Sequence, residues 1–202
     1  MAEKTPANKQ ENQEKQDWKK TAVLYLHDIL MMLVTMMVVF LLVFRVIVVS
    51  GSSMYDTLID GDYLLLVSNL FYRNQEYGDV IVVTKDSFDG GAPIIKRVIA
   101  TEGQTVDIDF QQGIVYVDGV ALEEDYTYTP TNISEGMQFP LTVAPDCVFA
   151  MGDNRNGSLD SRSPEIGQID RREILGRAFF LFYPAADQGQ RRPDFTRIGV
   201  IR

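Results

Sequence analysis

The segment that decides the fold is GIVYVDGVALEE, Gly113 to Glu124. Two short β-branched or apolar runs flank Asp118-Gly119, and such a dipeptide between apolar runs is a strong signal for a two-residue β-hairpin. Comparable runs bounded by Gly, Asp and Pro recur after residue 46: GDYLLLVSNLFY, GDVIVVTK, APIIKRVIATEG, DCVFAMGDN and GRAFFLFYP. Because no helical period persists there, residues 46–202 are predicted to form a mainly antiparallel β-sheet domain, with a surface excursion at about 123–145.

A long apolar run precedes this domain. Ile29 to Phe44 is sixteen residues without a charge, and extending it back through TAVLYLH gives about 24 helical residues before Arg45, enough to cross a hydrocarbon core of about 30 Å. We predict one N-terminal transmembrane helix over residues 21–45. A cleaved secretory signal fits less well, because its apolar region would be shorter and VVSGSS lacks an alanine-type small-x-small pattern.

The flanks of the run predict its orientation. Residues 1–20 are polar and charged at the start, and we predict a disordered cytoplasmic tail. Lys19 and Lys20 precede the run whereas only Arg45 follows it, so the positive-inside rule places the N-terminus in the cytoplasm and the β domain outside the cell membrane. The expected protein is a single-pass membrane protein in contact with lipid.

Composition excludes several classes of function. The formal net charge of −9 argues against nucleic acid as a partner, since phosphate binding needs clustered Lys and Arg. The one cysteine, Cys147, cannot form an intrachain disulfide and is expected to pack as a small apolar side chain. We expect no metal or cofactor.

Candidate chemistry begins at VVSGSSMYDTL, Val48 to Leu58, where three serines surround one glycine. The only histidine, His27, lies in the predicted helix, so a Ser-His-Asp arrangement is excluded from the β domain. In PIIKRVIA, a strand would alternate Lys96 and Arg97 between its faces. A lysine between β-branched neighbours on an inward face loses solvation, which favours the neutral amine that can act as a general base for serine. The alternative is that Lys96 and Arg97 are ordinary solvated strand residues.

A polar segment, GDNRNGSLDSR, Gly152 to Arg162, follows the apolar strand CVFAM. Its aspartates and arginines can form bidentate ion pairs with one another, and their spacing is not that of a calcium loop. A merely solvated loop remains the alternative from this segment alone.

Together, SGSSMYDTL, YGDVIVV, IIKRVIATEGQTV and MGDNRNGSLDSR, in this order after one anchor, resemble bacterial type I signal peptidase. The compact single-anchor form of Gram-positive bacteria is the most similar. The resemblance implies a serine endopeptidase of the signal-peptidase fold that cuts signal peptides from exported precursor proteins, with Ser53 as nucleophile and Lys96 as general base. It also implies a preference for small residues before the cut.

The resemblance also implies roles around this dyad. Ser158 matches the hydroxyl that hydrogen-bonds the lysine, and four residues match supporting positions: Asp160, Arg162, Asp153 and Arg155. Two segments match the edges between which an extended substrate lies as an added strand, and the substrate-binding candidates within them are Val48, Gly51, Ser52, Ile94 and Ile95.

The chain departs from the family pattern at two positions. Asp56 stands where proline is usual, and because a facing carboxylate would favour charged Lys96, we predict that Asp56 points away from it. Gly51 stands where some relatives have a serine that helps bind the oxyanion, so the backbone N–H of Ser53 becomes the main candidate donor.

Two other functions remain open. One is a self-cleaving repressor with a related β fold, which would need a soluble DNA-binding helix-turn-helix where this chain has an apolar anchor. The other is a membrane-anchored β module that binds extended peptides without cutting them, for which Asp56 is the only support.

Overall fold

The computed structural model describes residues 6–85, 88–187 and 189–201. It divides the chain into two compact units, residues 1–42 and 43–202. Besides three short 3-10 helices, the described residues contain one α-helix and twelve strands: α1 Pro6–Val43, β1 Phe44–Val48, β2 Tyr63–Ser68, β3 Val80–Val83, β4 Ile94–Thr101, β5 Thr105–Asp109, β6 Ile114–Val117, β7 Val120–Ala121, β8 Leu141–Thr142, β9 Cys147–Met151, β10 Ile169–Asp170, β11 Ile174–Tyr183 and β12 Gly199–Val200. The predicted mainly β class with one N-terminal apolar helix is confirmed.

Helix α1 contains one stretch, Trp18–Val43, that is long and apolar enough to cross a membrane. The helix begins at Pro6 and therefore includes residues 6–20, which we predicted to be disordered; residues 1–5 of that predicted tail lie outside the described residues. Lys, Glu and Gln are strong helix formers and proline is favoured in a first turn, so the apolar helix can continue into this polar sequence. The helix ends at Val43, two residues before the predicted boundary at 45, because Phe44 and Arg45 belong to strand β1.

The second unit consists of two antiparallel sheets. The larger has the strand order β1-β2-β11-β3-β4-β9-β10, with β12 paired to β11, and the smaller has the order β7-β6-β5-β8. The hairpin predicted at Asp118-Gly119 is present between β6 and β7, and both residues have positive φ, 51° and 79°. That conformation suits the right-handed twist of the flanking strands.

Three apolar clusters form the core of this unit. One contains Met54 and Leu58, one and five residues after the predicted nucleophile, and a second lies between the sheets around Phe149. A third includes Ile81 and Val98, on strands β3 and β4. Strand β4 is buried along nearly its whole length, so any polar side chain that it carries is removed from water.

Candidate active site

The site is centred on Ser53 and Lys96. Strand β4 holds Lys96 opposite Ile81 of β3, and the Lys96 Nζ atom lies 2.9 Å from Ser53 Oγ. Only 3% of Lys96 is exposed, and Arg97 is 1% exposed, so the alternative of solvated strand residues is excluded. The two side chains are therefore within the reach that proton transfer between a nucleophile and its base requires.

The surroundings of Lys96 lower the pKa of its amine to about 8. Burial is the largest cause, because it disfavours the charged form, and Arg162 acts in the same direction. Asp160, Glu135 and Asp153 oppose it through their negative charges. With a pKa of about 8, roughly one-tenth of the molecules carry a neutral amine at pH 7, compared with fewer than one in a thousand for an ordinary lysine.

Ser53 is held in a turn that the core anchors from one side. Met54 and Leu58 are each 1% exposed, and the Leu58 N–H donates to the Met54 carbonyl at 2.8 Å. From the other side, Asn154 donates its backbone N–H to the Ser53 carbonyl and its side-chain amide to the Ser52 carbonyl, both at 3.1 Å. The polar segment after β9 thus fixes the backbone of Ser52 and Ser53 directly.

Gly152 allows that segment to approach. A Cβ atom built on Gly152 would overlap the Ser158 side chain and the Ser53 carbonyl oxygen. The glycine is needed here for space, and its N–H donates to Asp160 Oδ2 at 2.9 Å.

Asp153 and Arg97 form a buried ion pair beside the dyad. Arg97 Nε and Nη2 donate to the two oxygens of Asp153 at 2.8 and 2.6 Å, and Thr57 donates to the same carboxylate at 2.6 Å. Arg97 also stacks on the Tyr126 ring, with its guanidinium carbon 4.1 Å from the ring centroid. Because Thr57 binds the same carboxylate, this bidentate pair connects the turn that contains Ser53 to strand β4 and to the segment after β9.

Asp160 and Arg162 form a second buried pair, with Nε and Nη2 each donating at 2.8 Å. Arg162 also donates to the carbonyls of Ile133 and Arg155, at 3.0 and 2.6 Å. Glu135 completes the group, with its carboxylate 3.2 Å from Arg162 Nη2. Asp160 and Arg162 are both fully buried, so the alternative that the segment from Gly152 to Arg162 is merely a solvated loop is also excluded.

Arg155 connects the segment to the excursion predicted at 123–145. Its guanidinium donates to both oxygens of Glu124, at 2.8 and 2.5 Å, and to Thr131 Oγ1 at 2.9 Å. The Tyr126 hydroxyl donates to the same carboxylate at 2.9 Å. The excursion is therefore more than a surface loop, since its polar side chains pair with buried arginines of the site.

Ser158 differs from what the resemblance implies. Its hydroxyl is buried and makes no hydrogen bond with any residue that the structure describes, so the implied bond to Lys96 is absent. The side chain instead faces the Cα atom of Gly152, which leaves Ser53 Oγ as the hydroxyl beside the lysine.

The two departures from the family pattern lie at the surface of the turn. Asp56 is exposed whereas Lys96 is buried, and the charges that shift the pKa of Lys96 most do not include Asp56. That Asp56 points away from Lys96 stays a prediction. Gly51 is also exposed, has a φ of 89°, and donates its N–H to Asp60 Oδ1 at 2.8 Å.

The predicted substrate-binding residues flank Ser53 and Lys96 along the chain. Val48 ends β1, which forms one edge of the larger sheet, and Gly51 and Ser52 are exposed between it and Ser53. Ile94 and Ile95 pair with β3 on one side, whereas β9 pairs with β4 only from Arg97 onward. Residues 94–96 of β4 therefore have no strand partner on their other side among the described residues.

Sequence reasoning missed several polar partners of the site. Arg97 was assigned no role, and neither were four residues that contact the site's buried ion pairs: Thr57, Glu124, Tyr126 and Glu135. The available signal was the pair of glutamates in EEDYTYTP, since buried arginines require carboxylates from elsewhere in the chain.

Comparison with known proteins relates this arrangement to one family. The family model described as signal peptidase, peptidase S26, matches residues 22–183, which are more than half of the chain. A probable signal peptidase I-1 of Synechocystis is 40% identical over 151 residues, covering 70% of this chain and 72% of that protein. A signal peptidase I of Bacillus amyloliquefaciens is 32% identical over 157 residues, covering 73% of this chain and 78% of that one.

Among solved structures, a signal peptidase I from Enterococcus faecalis V583 matches with 28% sequence identity and a TM-score of 0.42, over 52% of this chain and 96% of that one. The apolar helix and these relatives fit a membrane-anchored protein. The extent of the family match and the identity to two curated relatives lead to one conclusion: the chain belongs to the signal peptidase family, peptidase S26.

Proposed function

We propose that the protein is a membrane-anchored serine endopeptidase that removes signal peptides from exported precursor proteins by means of a Ser53–Lys96 dyad. The observation that carries the proposal is the 2.9 Å separation of Lys96 Nζ and Ser53 Oγ, combined with the burial of the lysine. Burial provides the neutral amine that a base needs, and the serine provides the nucleophile.

Cleavage proceeds in two stages. Neutral Lys96 takes the proton of Ser53 as its Oγ attacks the scissile carbonyl carbon, and the resulting ammonium protonates the leaving amine when the peptide bond breaks. The neutral amine then takes a proton from water as the water oxygen attacks the acyl-serine ester, and the resulting Lys96 ammonium returns that proton to Ser53 Oγ when the ester bond breaks and the signal peptide is released. The backbone N–H of Ser53 is the proposed donor to the oxyanion.

The two ion pairs keep the dyad in position. Asp153 binds Arg97, the chain neighbour of the base, and Asp160 binds both Arg162 and the Gly152 N–H. Both pairs are buried, so they hold their geometry without competition from water. Arg155 extends this framework to Glu124.

The unpaired side of residues 94–96 supports strand addition by the substrate. An extended precursor segment pairing there would place its backbone beside Lys96, with Val48, Gly51 and Ser52 on its opposite side. Small side chains before the cut suit close backbone approach to both edges. The proposed orientation has the N-terminus in the cytoplasm and the catalytic unit outside, where the cut lies beyond a precursor's apolar helix.

The test uses detergent-solubilised full-length protein and a precursor carrying an Ala-x-Ala site. Cleavage after the last alanine by the parent, and its loss in both Ser53→Ala and Lys96→Ala, would support the dyad. Cleavage that survives in Lys96→Ala would overturn the general-base assignment. A folded parent that binds the precursor without cutting it would instead favour the non-cutting peptide-binding module.

A further inference from the structure

A cavity of about 590 Å³ lies in the second unit, and its lining residues include neither Ser53 nor Lys96. Four arginines line it: Arg45 from strand β1, Arg73 from the segment after β2, and Arg171 and Arg172 from the turn before β11. One acidic side chain, Asp146, also lines it. Within a chain of net charge −9, this is a local surplus of positive charge.

Most of these guanidinium groups are available to a ligand. Arg172 forms an ion pair with Asp170, with 2.6 Å between Nη2 and Oδ2. The other three arginines, Arg45, Arg73 and Arg171, form no ion pair within the described part of the chain. Arg171 Nε is moreover buried without a hydrogen-bond partner among the described residues. A buried unpaired donor is costly, and an anion with several oxygens would satisfy it. Arginine forks match phosphate in particular, because they donate two parallel hydrogen bonds.

The position of the cavity along the chain favours a lipid as the source of that phosphate. One lining residue, Arg45, follows Val43, the last residue of α1, by two positions, so about 7 Å of chain at most separates Arg45 from the end of the apolar helix. Leu70 also lines the cavity and is 64% exposed, and its neighbour Phe71 is 60% exposed. Exposed apolar side chains beside a cationic cavity suit a ligand whose phosphate continues into acyl chains, whereas a free anion gains nothing from them.

We infer that this cavity binds the phosphate of an anionic phospholipid headgroup at the membrane surface. Arg45, Arg73 and Arg171 hold the phosphate oxygens, and Leu70 and Phe71 contact the acyl region. The site is separate from the proposed catalytic dyad, so its occupancy can be measured without any cleavage assay.

The experiment measures lipid binding by the full-length protein in dodecyl maltoside. Native mass spectrometry counts bound phosphatidylglycerol and, separately, bound phosphatidylcholine, while thermal unfolding is followed in parallel with inorganic phosphate. The main variant is Arg45→Gln with Arg73→Gln, since both side chains are exposed and neither forms an ion pair within the described residues. The matched control is Arg191→Gln with Arg192→Gln, which removes the same charge from exposed positions that do not line the cavity.

We expect the parent to bind phosphatidylglycerol at least tenfold more tightly than phosphatidylcholine. The main variant should lose about thirtyfold of that affinity, because each arginine near an anionic membrane contributes about 1 kcal/mol, and the control should stay within twofold of the parent. Equal binding by parent and main variant, or an equal loss in the control, would overturn the inference. Stabilisation by inorganic phosphate matching that by phosphatidylglycerol would assign the cavity to a free anion and overturn the lipid.

A second variant protects the test against misfolding. If the main variant loses its far-UV circular dichroism spectrum, Arg171→Gln decides by the same criterion, because it removes the buried unpaired Nε and leaves the exposed arginines in place.

Discussion

Lys96 is subject to opposing effects whose balance sets its proton affinity. Burial in strand β4 lowers the pKa of the amine to about 8, while three carboxylates nearby raise it. Without those carboxylates, the pKa of the amine would be lower still. Arg97 and Arg162 would then have no carboxylate to pair with. The proposed mechanism needs such a balance, because Lys96 is to act as a base during attack and as an acid when the amine leaves.

This balance predicts the pH dependence of cleavage. We expect kcat/KM to rise about tenfold per pH unit below pH 8 and to level off above it, because the neutral form of Lys96 is the active one. Glu135→Gln should move the midpoint to lower pH, since Glu135 is a negative charge that raises the pKa of Lys96.

The measurement is a full pH profile of kcat/KM for parent and variant. Glu165→Gln is the control, because Glu165 is exposed and is not among the groups that shift the pKa of Lys96. A lower rate in Glu135→Gln with an unmoved midpoint would mean that Glu135 acts only by holding Arg162.

Ser158 gives a second prediction at the scale of single residues. Its hydroxyl is buried without a hydrogen bond within the described residues, so Ser158→Ala removes no bond and relieves an unsatisfied polar group. We expect kcat/KM within about threefold of the parent and an unchanged or slightly raised Tm. A loss of 100-fold or more would show that the hydroxyl bonds to Lys96 during the reaction, as the family resemblance implied.

At the scale of elements, strand β4 and the segment after β9 divide the task of building the site. The strand supplies Lys96 and Arg97 on its two faces, and the segment supplies Asp153 and Asp160, the carboxylates that pair with Arg97 and Arg162. The segment can do so only because Gly152 lets it pass close to the turn that contains Ser53.

Gly152→Ala tests this close approach. The added methyl group would overlap the Ser53 carbonyl oxygen and the Ser158 side chain, so the nucleophile must shift. A displacement of about 1 Å at a reacting group can cost about 100-fold in rate, and we expect a fall in kcat/KM of at least that size. Gly199→Ala is the control, because a Cβ there meets no atom within 4 Å. Equal activity of the two variants would contradict the packing argument.

The elements also show how far sequence alone could go. Asp118-Gly119 predicted its hairpin, because both residues tolerate positive φ between two apolar runs. The switch from helix to strand at Phe44 was harder to place, because Phe44 continues the apolar run of the helix without a turn residue between them. The β-branched VIVV was the one local signal for β1.

The site was predictable only where its residues lie inside local motifs. Ser53 and Lys96 could be proposed together from resemblance and from burial on a strand, and the structure brings them within 2.9 Å. The pairing of Glu124 with Arg155 could not be proposed in this way. The two residues are 31 positions apart, and most of the chain between them has no regular structure. Such long-range polar pairing has no sequence period to reveal it.

At the scale of the whole molecule, the two units differ in the structure that they contain. Among the described residues, all twelve strands and all three core clusters belong to residues 43–202, so this unit has a hydrophobic core of its own, as an independently folding domain requires. Helix α1 contributes no residue to those clusters, and its large apolar side chains from Val23 to Leu42 are exposed, as a lipid-facing helix requires.

This separation predicts different effects of truncation on two substrates. A fragment of residues 43–202 should retain β-rich circular dichroism and should cleave a short soluble peptide with kcat/KM within about threefold of the full chain. With a precursor embedded in vesicles, it should be at least tenfold slower, because the helix no longer confines enzyme and substrate to one membrane. The control is the full-length Ser53→Ala protein, which should be inactive on both. If the fragment folds and cleaves both substrates as fast as the full chain, the helix contributes nothing to substrate encounter, and co-localisation is excluded as its function.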